Sequence, residues 1–344
     1  IFHSTVGWKP RLGYHRIMET DIANHAYQQL TPDLILDAVE SCGYACDGHL
    51  LALNSYENRV YQIGIEDDRP VIAKFYRPNR WSEQAILEEH AFALELADRE
   101  IPVVAPLQDG RNRTLHATQG FLFTVYPHCG GRWPDLDNRE QRLQMGRFLG
   151  RMHAVGASRK FLHRERIDIE TLGETPRSFL LAQEWIPGYL LESYSTLSAD
   201  LLTRIRNLFE AVEPLRELRL HGDCHPGNIL WTEQGPHFVD LDDSRSGPAI
   251  QDIWMLLSGE KDDMRRQLDD LLDGYQMFYD FDYASIGLIE ALRTLRIMHY
   301  AAWIARRWDD PAFPLAFPWF DSPRYWEEHI LSLREQAALL DEPF

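Results

Sequence analysis

"LHGDCHPGNILW" (residues 220–231) sets two histidines, a cysteine, an aspartate, two glycines, a proline and an asparagine together and then turns apolar. Glycine and proline flanking Asp223 break helix and strand, so the segment reads as a loop feeding a short strand. Twelve residues after Asn228, "HFVDLDD" (237–243) supplies Asp240. A loop carboxylate, an amide five positions on and a second carboxylate after a turn and strand are oxygen donors in an order suited to a divalent cation. Magnesium is the natural choice, because it takes few protein ligands and bridges nucleotide phosphates.

Phosphoryl transfer needs a carboxylate that orients the acceptor and takes its proton, metal ligands, a lysine on the phosphates and a counter-charge for that lysine. Asp223 meets the first need, and Asn228 and Asp240 the second. Lys74, inside the strand-like "VIAKFY" (71–76), meets the third. A lysine in a strand interior requires a carboxylate partner. The helix expected over 80–100 offers Glu88 and Glu89, and Glu89 shares a face with Phe92 and Leu96, so it is preferred.

Working outward, "NRVYQIGI" (58–65) and "RPVIAKFYRP" (69–78) predict an antiparallel hairpin, preceded by a short helix within 30–44 that starts at Thr31 and Pro32. Two more strands are expected within 114–127. The prolines of "IPVVAP" end the helix of 80–100, and Gly130, Gly131 and Pro134 mark a connection between lobes. From 138 onward helices are predicted over 138–156, 176–186, 198–216, 250–258, 262–280, 284–308 and 323–340. Residues 219–243 interrupt them with small strands around the loop. The expected organisation is an uncertain extension over 1–29, a strand-rich lobe over 30–126, a hinge over 127–133 and a helical lobe over 134–344 that carries the loop. Residues 1–17 lack an initial methionine and clear periodicity, which suggests a start at Met18.

"HGDCHPGN" resembles the H-G-D-x-H-x-x-N loop of the aminoglycoside and choline phosphotransferase superfamily, and "FVDLDD" and "GPAIQD" resemble its metal-binding segment and the helix start after it. "LNSYENRVYQ", "KFYRPNRW", "ILEEH", "FVDLDDSRSGPAIQDIWMLLSG" and "DPAFPLAFPWF" are more specific, and resemble the bacterial stress response kinase A family from about residue 30 to 341. That resemblance implies an α+β, bilobal protein-kinase-like fold, with ATP and Mg2+ as cofactors. It also implies phosphorylation of serine or threonine on protein substrates, the chain itself included. By position it makes Asp223 the proton acceptor and Asn228 and Asp240 the magnesium ligands, with Asp240 also counted as catalytic. Lys74 then contacts the phosphates beside Glu89, and Ser55 of "LNSYENR" covers them. Adenine is expected near "VYPHCGG". Two departures from protein kinases stand out: there is no G-x-G-x-x-G, and His225 occupies the place of the usual lysine two residues after the aspartate. Near its reference pKa of roughly 6.5, a histidine is only partly charged at neutral pH.

Plainer roles compete for several residues. Asp223 alone is an ordinary Asx-turn residue. Asp242 and Asp243 default to solvated turn positions, with a second metal position open to Asp242. Asp252 suits a helix N-terminus, and by resemblance braces the loop. His221 fits a buried brace and Cys224 an apolar filler, since zinc lacks a second ligand pair. The aromatic residues of 298–320 are assigned to packing, with the acceptor cleft as the alternative.

With 53 acidic and 35 basic residues the net charge is -18, which argues against nucleic acid and anionic membranes. No apolar run approaches a membrane span of roughly 18 residues. Four scattered cysteines fit a reducing cytoplasm, and a monomer is expected. The alternative enzyme is a small-molecule kinase for an amino alcohol or another small hydroxyl-bearing metabolite, which an acidic acceptor cleft would favour. A nucleotide-binding scaffold without turnover has no need of all four residues Asp223, Asn228, Asp240 and Lys74. The stretch "SRSGPAIQD" (244–252) is too short to be an activation loop.

Overall fold

Side-chain alternation along one strand divides the smaller lobe into a core face and a cleft face. The computed structural model describes residue 27, residues 29–342 and residue 344. The reading of 1–17, and nearly all of the extension expected over 1–29, lies outside the described residues. Strands β1 (Cys46–Leu53), β2 (Arg59–Ile65), β3 (Val71–Phe75), β4 (His116–Thr118) and β5 (Phe121–Pro127) form a sheet in the order β1-β2-β3-β5-β4. All four pairings are antiparallel. Val71, Ala73 and Phe75 of β3 enter the core beneath helix α1 (Pro32–Glu40), while Ile72 and Lys74 face the cleft. Thr31 caps α1 by accepting from the Leu34 N–H.

The hairpin of β2 and β3 and the presence of two strands, β4 and β5, within 114–127 match expectation. Strand β1 was not expected. Most of its side chains are exposed, so it lacks the apolar alternation that marks a half-buried strand. Gly48 at positive φ and a register shift between Cys46 and Leu50 disrupt its pattern further.

Helix α2 (Glu83–Asp98) is capped by Ser82, which accepts from the Ala85 N–H. Its Phe92, Ala93 and Leu96 join the core of the larger lobe, so α2 ties the sheet to the helices. That lobe holds α3 (Arg139–Gly156), α4 (Thr175–Ala182), α5 (Leu191–Ala211), α6 (Ile250–Trp254), α7 (Lys261–Tyr275), α8 (Ile289–Ala305), α9 (Ala312–Ala316) and α10 (Pro323–Leu339). Helix α7 stops earlier than predicted, and α8 is preceded by a 3-10 turn over Tyr283–Leu288. Helices α3 and α7 approach closely because a Cβ on Gly146 would lie 2.0 Å from the Leu271 carbonyl oxygen. Two antiparallel pairs interrupt the helices: β6 (Glu217–Leu220) with β9 (Arg245–Pro248), and β7 (Ile229–Thr232) with β8 (Gly235–Phe238). The protein is α+β and two-lobed, with a strand-rich and a helical part facing across a cleft. Among the described residues no helix is long and apolar enough to cross a membrane.

Candidate active site

Strand β6 delivers the chain to His221 and Gly222, and their backbone fixes the loop. Both N–H groups donate to the carboxylate of Asp252, each at 2.8 Å. Asp252 is fully buried in α6 and is also 3.1 Å from His153 Nε2. Gly222 has φ +85°, and a Cβ there would meet the Asp243 carbonyl oxygen at 2.1 Å, so no other residue fits. The His221 ring is buried and its Nε2 is 2.9 Å from the Val239 carbonyl oxygen, the bracing role the sequence implies. Cys224 is fully buried, and burial pushes its thiol pKa well up.

Asp223 then projects into a cavity beside α8. Arg296 of α8 donates to its Oδ1 at 2.6 Å. Asn228 donates through Nδ2 to the Asp223 carbonyl oxygen at 3.0 Å and to Oδ2 at 3.3 Å, and His225 Nε2 lies 3.4 Å from Oδ2. Burial opposes the charge on Asp223, but the hydrogen bond with His225 and the charge of Arg296 outweigh it and hold its pKa below the usual carboxylate range.

Asp240 follows β8 in a left-handed conformation, φ 58° and ψ 62°, which few residues other than glycine, asparagine and aspartate adopt readily. Its carboxylate is about half exposed and lies 2.9 Å from Lys74 Nζ, which is 3.1 Å from Asp242 as well. Burial opposes the charge on Lys74, yet the two aspartates raise its pKa well above the ordinary value.

Glu89 points toward this cluster and is buried, but the ion-pair partners of Lys74 are Asp240 and Asp242. Glu89 makes no direct ion pair with Lys74, but its charge adds to that of the two aspartates in raising the Lys74 pKa. The nearest cation to Glu89 is Arg164, at 3.9 Å. Burial pushes the Glu89 carboxyl up to about 7 against the attraction of Lys74. Glu88 serves a separate purpose, since its carboxylate accepts from the backbone N–H groups of Leu162, His163 and Arg164 at 2.7, 2.7 and 3.1 Å. That anchors Arg164, whose guanidinium donates to the carbonyl oxygens of Asp242 and Ser244.

Asp242 and Asp243 are not solvated turn residues. Asp242 is buried and binds Lys74, Arg80 and Asn58, while Asp243 is 2.7 Å from Arg80. Sequence reasoning also missed Glu57, whose carboxylate lies 3.0 Å from Arg77 and 2.7 Å from Arg307 and accepts from Trp303 Nε1 at 2.6 Å. Nearby, Asp310 accepts from Arg59 and Arg77. These residues fasten the 54–58 loop to the helical lobe, and the only sequence signal for them was the unusual density of arginines in 77–80 and 306–307.

Ser55, Lys74, Glu89, Asn228 and Asp240 line a cavity of about 390 Å³ whose far wall is Tyr126–Cys129. Asp223 lines a second cavity, about 450 Å³, that shares Asn54, Ser55, Asn228 and Asp240 with the first. Tyr300 and Trp303 of α8 also line the second cavity, whereas Phe313 and Phe320 are fully buried. The aromatic segment therefore both packs and faces the cleft.

A strand lysine reaching across a cleft to carboxylates beside an H-G-D loop defines a kinase-type phosphotransferase. Residues 49–289 match the phosphotransferase enzyme family, APH. Over 317 residues the chain is 47% identical to stress response kinase A of Escherichia coli (strain K12), covering 92% of this chain and 95% of that protein. It is 45% identical over 317 residues, with the same two coverages, to the serine/threonine protein kinase RdoA of Salmonella typhimurium (strain LT2). The chain belongs to the APH phosphotransferase family, among the stress response kinases A. Among solved structures, amicoumacin kinase hAmiN in complex with AMP-PNP, calcium and Ami shares the fold, with a TM-score of 0.68 at 20% identity over 90% of this chain and 96% of that one.

Proposed function

We propose that the chain is an ATP- and Mg2+-dependent serine/threonine protein kinase of a stress response, acting in the cytoplasm and able to phosphorylate itself. The observation that carries this reading is the meeting of Lys74, Asn228, Asp240 and Asp223 where the two cavities join. The cavity against 126–129 takes the nucleotide, with adenine at the hinge of 127–133 between lobes of 30–126 and 134–344. Lys74 turns from Asp240 toward the phosphates, and Glu89 supports its charge. Ser55 covers the phosphates from the 54–58 loop.

The donor set suits magnesium. Asn228 spends its amide N–H groups on Asp223, which leaves the amide oxygen for a cation beside the Asp240 carboxylate. Among the described residues no group of three or more His, Cys, Asp or Glu side chains could hold a metal, and magnesium commonly takes one or two protein oxygens plus phosphates. Bound there, the cation offsets charge on the transferred group. Asp223 orients the acceptor hydroxyl and receives its proton as the oxygen–phosphorus bond forms and the bond to the nucleotide's β-phosphate oxygen breaks.

A small-molecule kinase is the second reading. It is favoured by the modest size of the acceptor-side cavity and by the segment after Asp240, which is strand β9 paired to β6 and offers no separate peptide-docking loop. Purified protein incubated with γ-labelled ATP and Mg2+, alone and with a generic protein acceptor, separates the two. Label on serine or threonine that Asp223→Asn reduces about 10³-fold or more, with ATP binding kept, supports the protein kinase. ATP binding with no label on protein moves the assignment to small acceptors, and full activity in Asp223→Asn removes Asp223 from the mechanism.

A further inference from the structure

The second cavity has an electrostatic character that composition does not reveal. Its carboxylates are already engaged: Asp243 by Arg80 and Arg245, at 2.7 and 3.6 Å, and Glu57 by Arg77 and Arg307. The acidic acceptor cleft that would attract a cationic substrate is thus largely neutralised from within.

Arg296 is placed differently. It sits on the cavity wall with Leu292, His299 and Tyr300, all on one face of α8. Its ion pair with Asp223 is open to solvent, the side chains being 44% and 22% exposed. The guanidinium is the more exposed end of the pair, so an entering acceptor can reach it and displace it. The hydroxyl must come in at Oδ1, because Oδ2 already faces Asn228 and His225. When it does, the Arg296 guanidinium is released into the cavity beside the acceptor, and no other carboxylate of the cavity is paired with it.

We infer that Arg296 selects the acceptor: it yields Asp223 Oδ1 to the incoming hydroxyl and then pairs with a carboxylate on the same acceptor, so the preferred substrate is a hydroxyl flanked by acidic groups. For a protein substrate this means a serine or threonine next to glutamate or aspartate. Before the acceptor enters, Arg296 is the cation on the catalytic aspartate in a loop whose usual lysine is replaced by His225. This inference rests on Asp223 orienting the acceptor, as proposed above. A cationic acceptor would meet Arg296 as a like charge, a costly juxtaposition.

The experiment measures kcat/KM with γ-labelled ATP for two matched pairs of acceptors: serine peptides flanked by glutamates or by lysines, and hydroxypropionate or aminopropanol. Which pair accepts label decides between protein and small-molecule kinase; which member of that pair is preferred decides the role of Arg296. The wild type is expected to favour the anionic member about tenfold or more, mainly through KM. Arg296→Lys should keep the preference, Arg296→Ala should shrink it, and Arg296→Glu should reverse it, each with an unchanged melting curve and ATP affinity. Transfer to neither anionic acceptor, preference for the cationic member, or an unchanged ratio in Arg296→Glu overturns the inference.

Discussion

Asp252 illustrates how one side chain sets the catalytic loop. Two backbone donors and His153 converge on it without solvent. Asp252→Ala should strip the buried His221 N–H and the partly buried Gly222 N–H of their acceptor and cost about 3 kcal/mol or more, read by urea denaturation. Activity should fall further than stability explains, because Gly222 and Asp223 lose their register. At this scale the sequence was partly legible. The roles expected for His221, Cys224 and Asp252 followed from local pattern and resemblance, and the structure gives each the contacts those roles require. Arg296, Glu57 and Arg164 were not legible, because each acts on a residue far along the chain: Arg296 meets a carboxylate 73 positions away, and Trp303 reaches Glu57 across 246. No local period encodes such pairs. For Lys74, helix-face logic shows that Glu89 points toward it, and not that two aspartates also arrive as direct partners.

Individual elements were easier to read where one face is apolar. Helices α1, α2 and α3, each with a side-chain cap, start within a few residues of expectation, whereas the mostly exposed β1 gave no signal. Helix α10 offers a pH test at this scale. Its His329 is buried against Tyr325, Trp326 and Tyr194, and burial lowers its pKa to about 4. As pH falls from about 6.5, the unfolded chain takes up a proton there that the folded protein refuses. The stability His329 confers is therefore full above that pH and declines toward pH 4. His329→Phe should remove this decline, so the difference between variant and wild type should shift by roughly 2–3 kcal/mol between pH 7 and pH 4. Denaturation across that range checks it; parallel curves would mean the ring does not stay neutral.

Across the whole molecule, the two lobes are fastened by ions as well as by the apolar side of α2. Glu57 binds Arg77 and Arg307, Asp310 binds Arg59 and Arg77, and Asp242 binds Lys74 and Arg80. Removing one partner from a largely desolvated group of this kind typically costs about 3–5 kcal/mol. Glu57→Ala should therefore lower thermal stability and free the 54–58 loop, raising KM for ATP more than it lowers kcat. Calorimetry and steady-state kinetics would show both; an intact KM would separate the clasp from nucleotide binding.

The backbone at Asp240 also limits which substitutions can test its role. A left-handed φ and ψ suits aspartate and asparagine but penalises longer side chains by roughly 1–2 kcal/mol. Asp240→Asn keeps the turn and removes the charge, so its loss of activity reports on electrostatics. Asp240→Glu keeps the charge and strains the turn. The variant that looks conservative on paper is thus the one whose failure says least about chemistry, and the pair together separates shape from charge at this position.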